Sequence, residues 1–443
     1  MGSARGRGTP ARGRLPPSEG TRRGVGSRPG RPAYSGGMDT TQTPQPHRET
    51  TTSIRSTRVR PFAVMGILNR VFEMRAQGRD VISLCVGEPS QGAPAGVRRR
   101  AAEVVQDGTD LGYSAIFGIV PLRERLAEHY RRWYGVDIPV ERIAVTGGSS
   151  GAFDMVFLAS FDAGDRVALA TPGYPAYSNI LRAQDVEVVE LPCGPDVRFQ
   201  PTVEMLEAAH RQGPLKGLMI ASPANPTGTM IEEPELRALY DWCRANGVRL
   251  ISDEIYHGVT FTGSKGTSAL ECGDDVVVIS SFSKYWGMTG WRLGWAILPE
   301  DLVEPCDAIA GNLSLCPPVP AQHACVEAFT DEAYAECDAA VEGFAVARQL
   351  VLDAVADLRW TDMAPADGAF YMYFRIDDVL GSFADASDWC AALLEQEGVA
   401  LAPGIDFDPI NGHNAVRLSL AAGPDAIAEA LVRIRRFQDS LAG

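Results

Sequence analysis

The 443-residue chain contains three lysines, and one of them, Lys284, sits among Ser281, Ser283, Tyr285, Trp286, Gly287, Gly290, Arg292 and Gly294. A protein that meets nearly every other need for positive charge with arginine keeps an ammonium in its most aromatic, glycine-punctuated loop. An amine desolvated by aromatic rings loses its proton more readily and can attack a carbonyl to form a Schiff base, which a guanidinium cannot do. Arg292 adds a rigid fork of donors suited to a phosphate, with the hydroxyls of Ser281 and Ser283 beside it. A second anion-binding pattern lies at Gly148, Ser149 and Ser150, between an apolar run over 143–146, read as a strand, and a helix up to 161. The free N–H groups and the dipole at such a helix start favour negative charge. The glycines do not follow the G-x-G-x-x-G frame of a dinucleotide turn, so a single phosphate is the better guest.

Two more polar residues stand at the ends of apolar runs. Asn225 lies between Pro223 and Pro226, and the second proline holds it in an extended turn with its amide fixed as a donor. Asp253 follows a strand read over 248–251, where an unpaired carboxylate is costly. It calls for a cationic or hydrogen-bonding partner. On spacing alone, Tyr113 reads as a packing residue, while the Gly87 turn fits an ordinary turn and a site turn equally well.

Written out, Ser281-x-Ser283-Lys284-x-x-Gly287-Met288-x-Gly290-x-Arg292-Leu293-Gly294 resembles the pyridoxal-phosphate attachment motif of the class I/II aminotransferases, the fold type I family. Similar Gly-Glu-Pro, Tyr…Gly…Leu-Arg, Asn-Pro-Thr-Gly and Arg-x-Ser stretches occur here at 87–89, 113–123, 225–228 and 417–419, so the resemblance covers about residues 48–443. It implies pyridoxal 5′-phosphate as cofactor, with Lys284 as its attachment point and the general base. Asp253 would keep the pyridine nitrogen protonated, Tyr256 and Asn225 would donate to the phenolic oxygen, and Tyr174 would stack on the ring. Gly148, Ser149, Ser150, Ser281, Ser283 and Arg292 would hold the phosphate, completed by Tyr113 of a second subunit in a homodimer with shared active sites. The resemblance gives Arg417 the substrate's α-carboxylate, near Asn225 and the Gly87 backbone, and leaves Glu254 and His257 as supporting residues.

The implied activity is transfer of an amino group from an L-amino acid to a 2-keto acid. Ser150 stands where some prokaryotic aspartate-type members carry lysine, which turns the expectation towards neutral or aromatic donors, with 2-oxoglutarate or pyruvate as acceptor. Lyases, cyclases and decarboxylating enzymes on this scaffold use the same lysine and remain the alternative. A reading from another class, a cofactor-sensing DNA-binding regulator, needs a helix-turn-helix domain for which the basic leader has neither length nor pattern.

These residues need a scaffold that gathers distant segments at one edge. Apolar strand runs alternate with helical periodicity from about 91 to 300, which predicts an α/β fold: a mostly parallel sheet with helices on both faces and ligand groups at its strand ends. Strands are predicted over 81–84, 143–146, 166–170, 186–191, 215–221, 248–251, 276–279, 368–374, 399–402 and 415–420. Residues 48–90 are expected to form an arm and part of a smaller α+β domain, 91–329 the large domain and 330–443 the rest of the small one. Residues 1–47, rich in Gly, Pro, Ser and Arg, read as a disordered leader, with Met38 as the natural start. The net charge of −15 opposes nucleic-acid binding, and no apolar run approaches a bilayer's thickness. Nine scattered cysteines without C-x-x-C or metal-ligand spacing read as reduced thiols of a cytoplasmic protein that holds no metal.

Overall fold

A computed structural model describes residues 52–441; the expectations for the leader and for Met38 lie outside the described residues. The strands are β1 (Ile82–Ser83), β2 (Ile143–Thr146), β3 (Arg166–Thr171), β4 (Glu187–Pro192), β5 (Gly217–Ala221), β6 (Arg249–Asp253), β7 (Val277–Ser281), β8 (Gly294–Ile297), β9 (Tyr371–Arg375), β10 (Val399–Ala400), β11 (Ala402–Pro403) and β12 (Ala415–Ser419). Seven of them form one sheet in the order β2-β8-β7-β6-β5-β3-β4. The pairs β3–β4, β3–β5, β5–β6 and β6–β7 are parallel, whereas β8 runs antiparallel to both β7 and β2.

The alternation of side chains along these strands explains the layering. Leu218, Ile220, Leu250, Val278 and Ile297 belong to one hydrophobic core, while their neighbours Met219, Ile251, Val277, Ile279 and Ala296 belong to a second. A period of two sends alternate residues to opposite faces, so a strand that is apolar throughout must be covered on both. Burying each large side chain contributes roughly 1.5–3 kcal/mol.

That arrangement sends the C-terminal ends of β2, β3, β5, β6 and β7 to one edge. The loops leaving them carry Ser149, Tyr174, Asn225, Tyr256 and Lys284. Ser281 pairs with Gly294 in the register of β7 and β8, so the loop 282–293 is the tip of a hairpin with both ends fixed.

The chain's two flanks meet in the smaller sheets. Ile82 of β1 pairs with Val399 of β10, and β11, β12 and β9 form an antiparallel sheet in which Arg417 lies opposite Tyr373 and Ser419 opposite Tyr371. The strand expected over 368–374 begins only at Tyr371. Gly368 packs against Pro223 and the Val259 carbonyl, where a Cβ would lie 2.6 and 2.8 Å from its neighbours, and Ala369 takes a left-handed φ of 54°. The first three residues are therefore a docked turn. Among the described residues no helix is long and apolar enough to cross a membrane.

Candidate active site

A cavity of about 350 Å³ opens at this edge, between the seven-stranded sheet, the antiparallel sheet and the helix Ala63–Ala76. Lys284 points into it and donates from Nζ to the Gly87 carbonyl at 2.6 Å. Its nitrogen lies 5.8 Å from the ring centroids of both Tyr256 and Phe370. The expected buried amine is half-buried, because its head faces the open cavity and not a packed core.

At one end stands an anion cradle. The helix Ser149–Ser160 starts without any side-chain cap, so its first N–H groups are unspent, and Ser149 and Ser150 line the cavity. Arg292 closes on the same turn: a Cβ at Gly148 would come within 2.5 Å of its Nη2, and Gly148 takes a φ of 82°. Glycine is what lets the guanidinium reach the helix start. Arg292 itself is tied to the Thr289 carbonyl at 3.0 Å. Ser283 lines the cavity, whereas Ser281 is fully buried beneath it and accepts from Ser283 N at 3.1 Å.

The floor carries the carboxylate. Asp253 ends β6 and is buried; its Oδ1 accepts from Ile255 N at 3.0 Å and its Oδ2 from the Tyr177 hydroxyl. Burial pushes its carboxyl up to about 6, against the pull of those two hydrogen bonds and of Lys284. Such a group gains most from a cationic partner in the cavity.

At the other end Arg417 is 5% exposed. Its Nη1 donates to Asn225 Oδ1 at 2.8 Å and its Nη2 to the Cys85 carbonyl at 2.6 Å. Nε has no partner among the described residues. The guanidinium is sandwiched 4.3 Å from the Tyr371 ring and 4.6 Å from that of Phe407. With its oxygen taken by Arg417, Asn225 keeps its amide N–H₂ for the cavity, and Tyr256 lines the wall beside it. Tyr174 lines the cavity too, stacked on Phe62 at 6.3 Å and 9°.

The structure thus brings together Gly87, Gly148, Ser149, Ser150, Tyr174, Asn225, Asp253, Tyr256, Ser283, Lys284, Arg292 and Arg417. It leaves Tyr113 outside, 84% exposed on the surface. Glu254 and His257 lie behind the site, fully buried and away from the cavity wall. Sequence reasoning missed Tyr177 and Tyr371, and with them the apolar wall of Phe62, Val64, Met65 and Leu68. The signal for Tyr177 was present: it follows Tyr174 by three residues on a helix opened by Pro175, which puts both phenols on one face.

Comparison with known proteins places the chain in a family. The family described as aminotransferase class I and II matches residues 79–434. The chain is 48% identical to a valine–pyruvate aminotransferase of Mycobacterium tuberculosis, over 85% of this chain and 96% of that protein. It is 33% identical to a (5-formylfuran-3-yl)methyl phosphate transaminase of Methanocaldococcus jannaschii, again over 85% and 96%. The crystal structure of an aminotransferase from Mycobacterium tuberculosis superposes with a TM-score of 0.84 at 46% identity, covering 88% of this chain and 99% of that one. The chain therefore belongs to the class I and II aminotransferases and moves amino groups from amino acids to keto acids.

Proposed function

We propose that the enzyme works with pyridoxal 5′-phosphate, takes neutral aliphatic amino acids as donors and pyruvate as an acceptor, and is a cytoplasmic homodimer whose subunits share their active sites. The residues fit the cofactor. The uncapped helix start, the Gly148 notch and Arg292 suit a phosphate. The buried Asp253 carboxylate suits a protonated ring nitrogen, and Asn225 and Tyr256 supply donors for a phenolic oxygen. When bound, the cofactor's ring draws electrons from the donor's α-carbon. Lys284 holds it and moves the proton on and off that carbon. Arg417, steadied by Asn225, orients the substrate through its carboxylate.

The observation that carries the donor class is the inventory of charges around the cavity. Among the described residues the cations that line it are Lys284, Arg292 and Arg417, and each has its task in this scheme. The remaining acid, Asp406, spends its carboxylate on the N–H groups of Ala63 and Val64 at 2.7 and 2.8 Å. Among the described residues no cation is left for a second substrate carboxylate, and Val64, Met65, Leu68 and Val86 offer apolar walls. The name of the Mycobacterium tuberculosis relative, a valine–pyruvate enzyme, points the same way.

A second subunit is supported by what lies outside the cavity. Tyr113 and Leu111 on one loop, and Leu313 and Leu315 at the end of the helix Glu300–Leu313, are exposed, and that helix meets the same loop at Gly311 and Ile116. An apolar face of this kind suits a two-fold partner. Nine unpaired thiols suit a reducing compartment.

The test is a panel of amino donors against pyruvate and 2-oxoglutarate, with release of the donor's keto acid as readout. Valine should exceed aspartate by at least about tenfold in kcat/KM, the discrimination expected when a charged group meets an apolar wall. Borohydride reduction with pyridoxal phosphate bound, followed by peptide mapping, should mark Lys284. Preference for aspartate, or label on Lys216 or Lys265, would overturn the reading.

A further inference from the structure

Tyr371, at the start of β9, touches three parts of the cavity with one ring. It lies one pleat away from Arg417 on the same face of the ladder, and it carries the Arg417 guanidinium at 4.3 Å from its centroid. Its hydroxyl lies 3.0 Å from that of Tyr256. It also occupies the space that a side chain at Gly87 would need: a Cβ there would stand 1.6 Å from Tyr371 Oη. Gly87 is the residue whose carbonyl receives Lys284 Nζ. The whole phenol is 2% exposed.

Each phenol has one proton to give. Neither hydroxyl has another partner among the described residues. If Tyr256 gives its proton to an oxygen in the cavity, only the proton of Tyr371 can make the contact between the two hydroxyls. Resting on the reading above, in which Tyr256 donates to the cofactor's phenolic oxygen, we infer that Tyr371 is a positioning residue that donates to Tyr256. It thereby aims Tyr256's proton into the cavity and strengthens it as a donor. Its ring at the same time supports Arg417, so a single side chain ties the group that tunes the cofactor to the group that reads the substrate's carboxylate. The bare backbone of Gly87 is the room that this crossing requires.

Absorbance titration of the holoenzyme without substrate separates the two duties. The proton that leaves the lysine–cofactor chromophore lies between the lysine nitrogen and the phenolic oxygen. A strong donor to that oxygen favours its loss, and a weakened donor delays it. Tyr371→Phe keeps the ring and removes the hydroxyl, so the chromophore should ionise roughly 0.5–1 pH unit higher, the shift that one ordinary hydrogen bond supports. KM for amino donors should change by less than about twofold, because the cation–π contact is kept. Tyr371→Leu should show the same spectral shift and, in addition, a KM raised about fivefold or more. Tyr256→Phe with Tyr371→Phe should shift the chromophore no further than Tyr256→Phe alone, since Tyr371 acts through Tyr256. A bound chromophore whose ionisation is unmoved in Tyr371→Phe, or fully additive shifts in the double variant, overturns this inference and leaves the proposed function standing. Wild-type protein that forms no chromophore with pyridoxal phosphate overturns both.

Discussion

Arg417 has two of its nitrogens committed before any substrate arrives, one to Asn225 and one to the Cys85 carbonyl. It is pre-aimed, so its loss should register in substrate binding. Arg417→Ala should raise KM for every amino donor by roughly 10–100-fold, the worth of a charged hydrogen-bonded partner, and leave cofactor affinity unchanged. A variant that loses the cofactor and keeps its KM would exchange the roles of Arg417 and Arg292. Tyr177→Phe tests the floor of the site. The Tyr177 hydroxyl opposes the burial that raises Asp253, so removing it should raise that carboxyl further. Asp253 must be ionised to hold a cationic ring, hence the acid limb of kcat/KM should move to higher pH. A limb that stays or moves down would separate Tyr177 from Asp253. Lys284 and Asp253 stood out as candidates in the sequence because each ends or adjoins an apolar run and has chemistry that is hard to replace, whereas Arg417 was singled out only by the resemblance of 417–419 to the family's Arg-x-Ser stretch. Tyr371 did not stand out, since a phenol packs or donates according to what it faces and only tertiary contacts decide that; Tyr177 was missed although its spacing from Tyr174 carried a signal.

At the scale of elements, the turn after β6 holds a neutral pair that the sequence left unassigned. Glu254 Oε1 accepts from Ala269 N at 2.8 Å, while Oε2 lies 3.5 Å from His257 Nδ1, which meets the Tyr134 hydroxyl at 2.6 Å. Burial pushes Glu254 up from 4.5 to about 8 and His257 down from 6.5 to about 3. The two are thus an uncharged carboxyl and an uncharged imidazole at pH 7. Between pH 6.5 and 8 the unfolded glutamate is ionised while the folded one keeps its proton, so Glu254 makes stability fall as pH rises, by up to about 1.4 kcal/mol per unit. Glu254→Gln should flatten the fall of Tm across that window; an unchanged slope would clear Glu254 of the effect. The strands of the large sheet other than β8 were legible because they are short apolar runs, mostly buried on both faces; β8 was hidden because it follows directly on the glycine-punctuated loop of Lys284. The start of β9 was misread: Gly368, Ala369 and Phe370 carry strand-like aromatic patterning, yet their backbone is claimed by the loop around Pro223 and Val259. Local pattern lost to a docking surface more than a hundred residues away.

For the whole molecule, the exposed Tyr113 makes a sharp test of subunit sharing. Lys284→Ala and Tyr113→Ala, each nearly inactive under chosen conditions, are unfolded, mixed and refolded together. With sharing across a two-fold interface, one site of each mixed dimer carries both lesions and the other neither, so activity should return to about a quarter of wild type. No return, with mixed dimers confirmed by mass, ends the claim. The two anchoring ends of the cavity also differ in how far along the chain they reach. The hairpin tip 282–293 holds both Lys284 and Arg292, and its ends are hydrogen-bonded neighbours at the edge of one sheet. Arg417, in β12, instead joins partners 192 and 332 residues away, on the loops that follow β5 and β1. On the proposed reading, then, the cofactor end is held within one hairpin and the substrate end is assembled from loops far apart in the chain. Loosening the contacts between those distant segments should disturb the Arg417 end before the hairpin end, so in mild urea binding of the amino acid should fail at a lower concentration than binding of the cofactor.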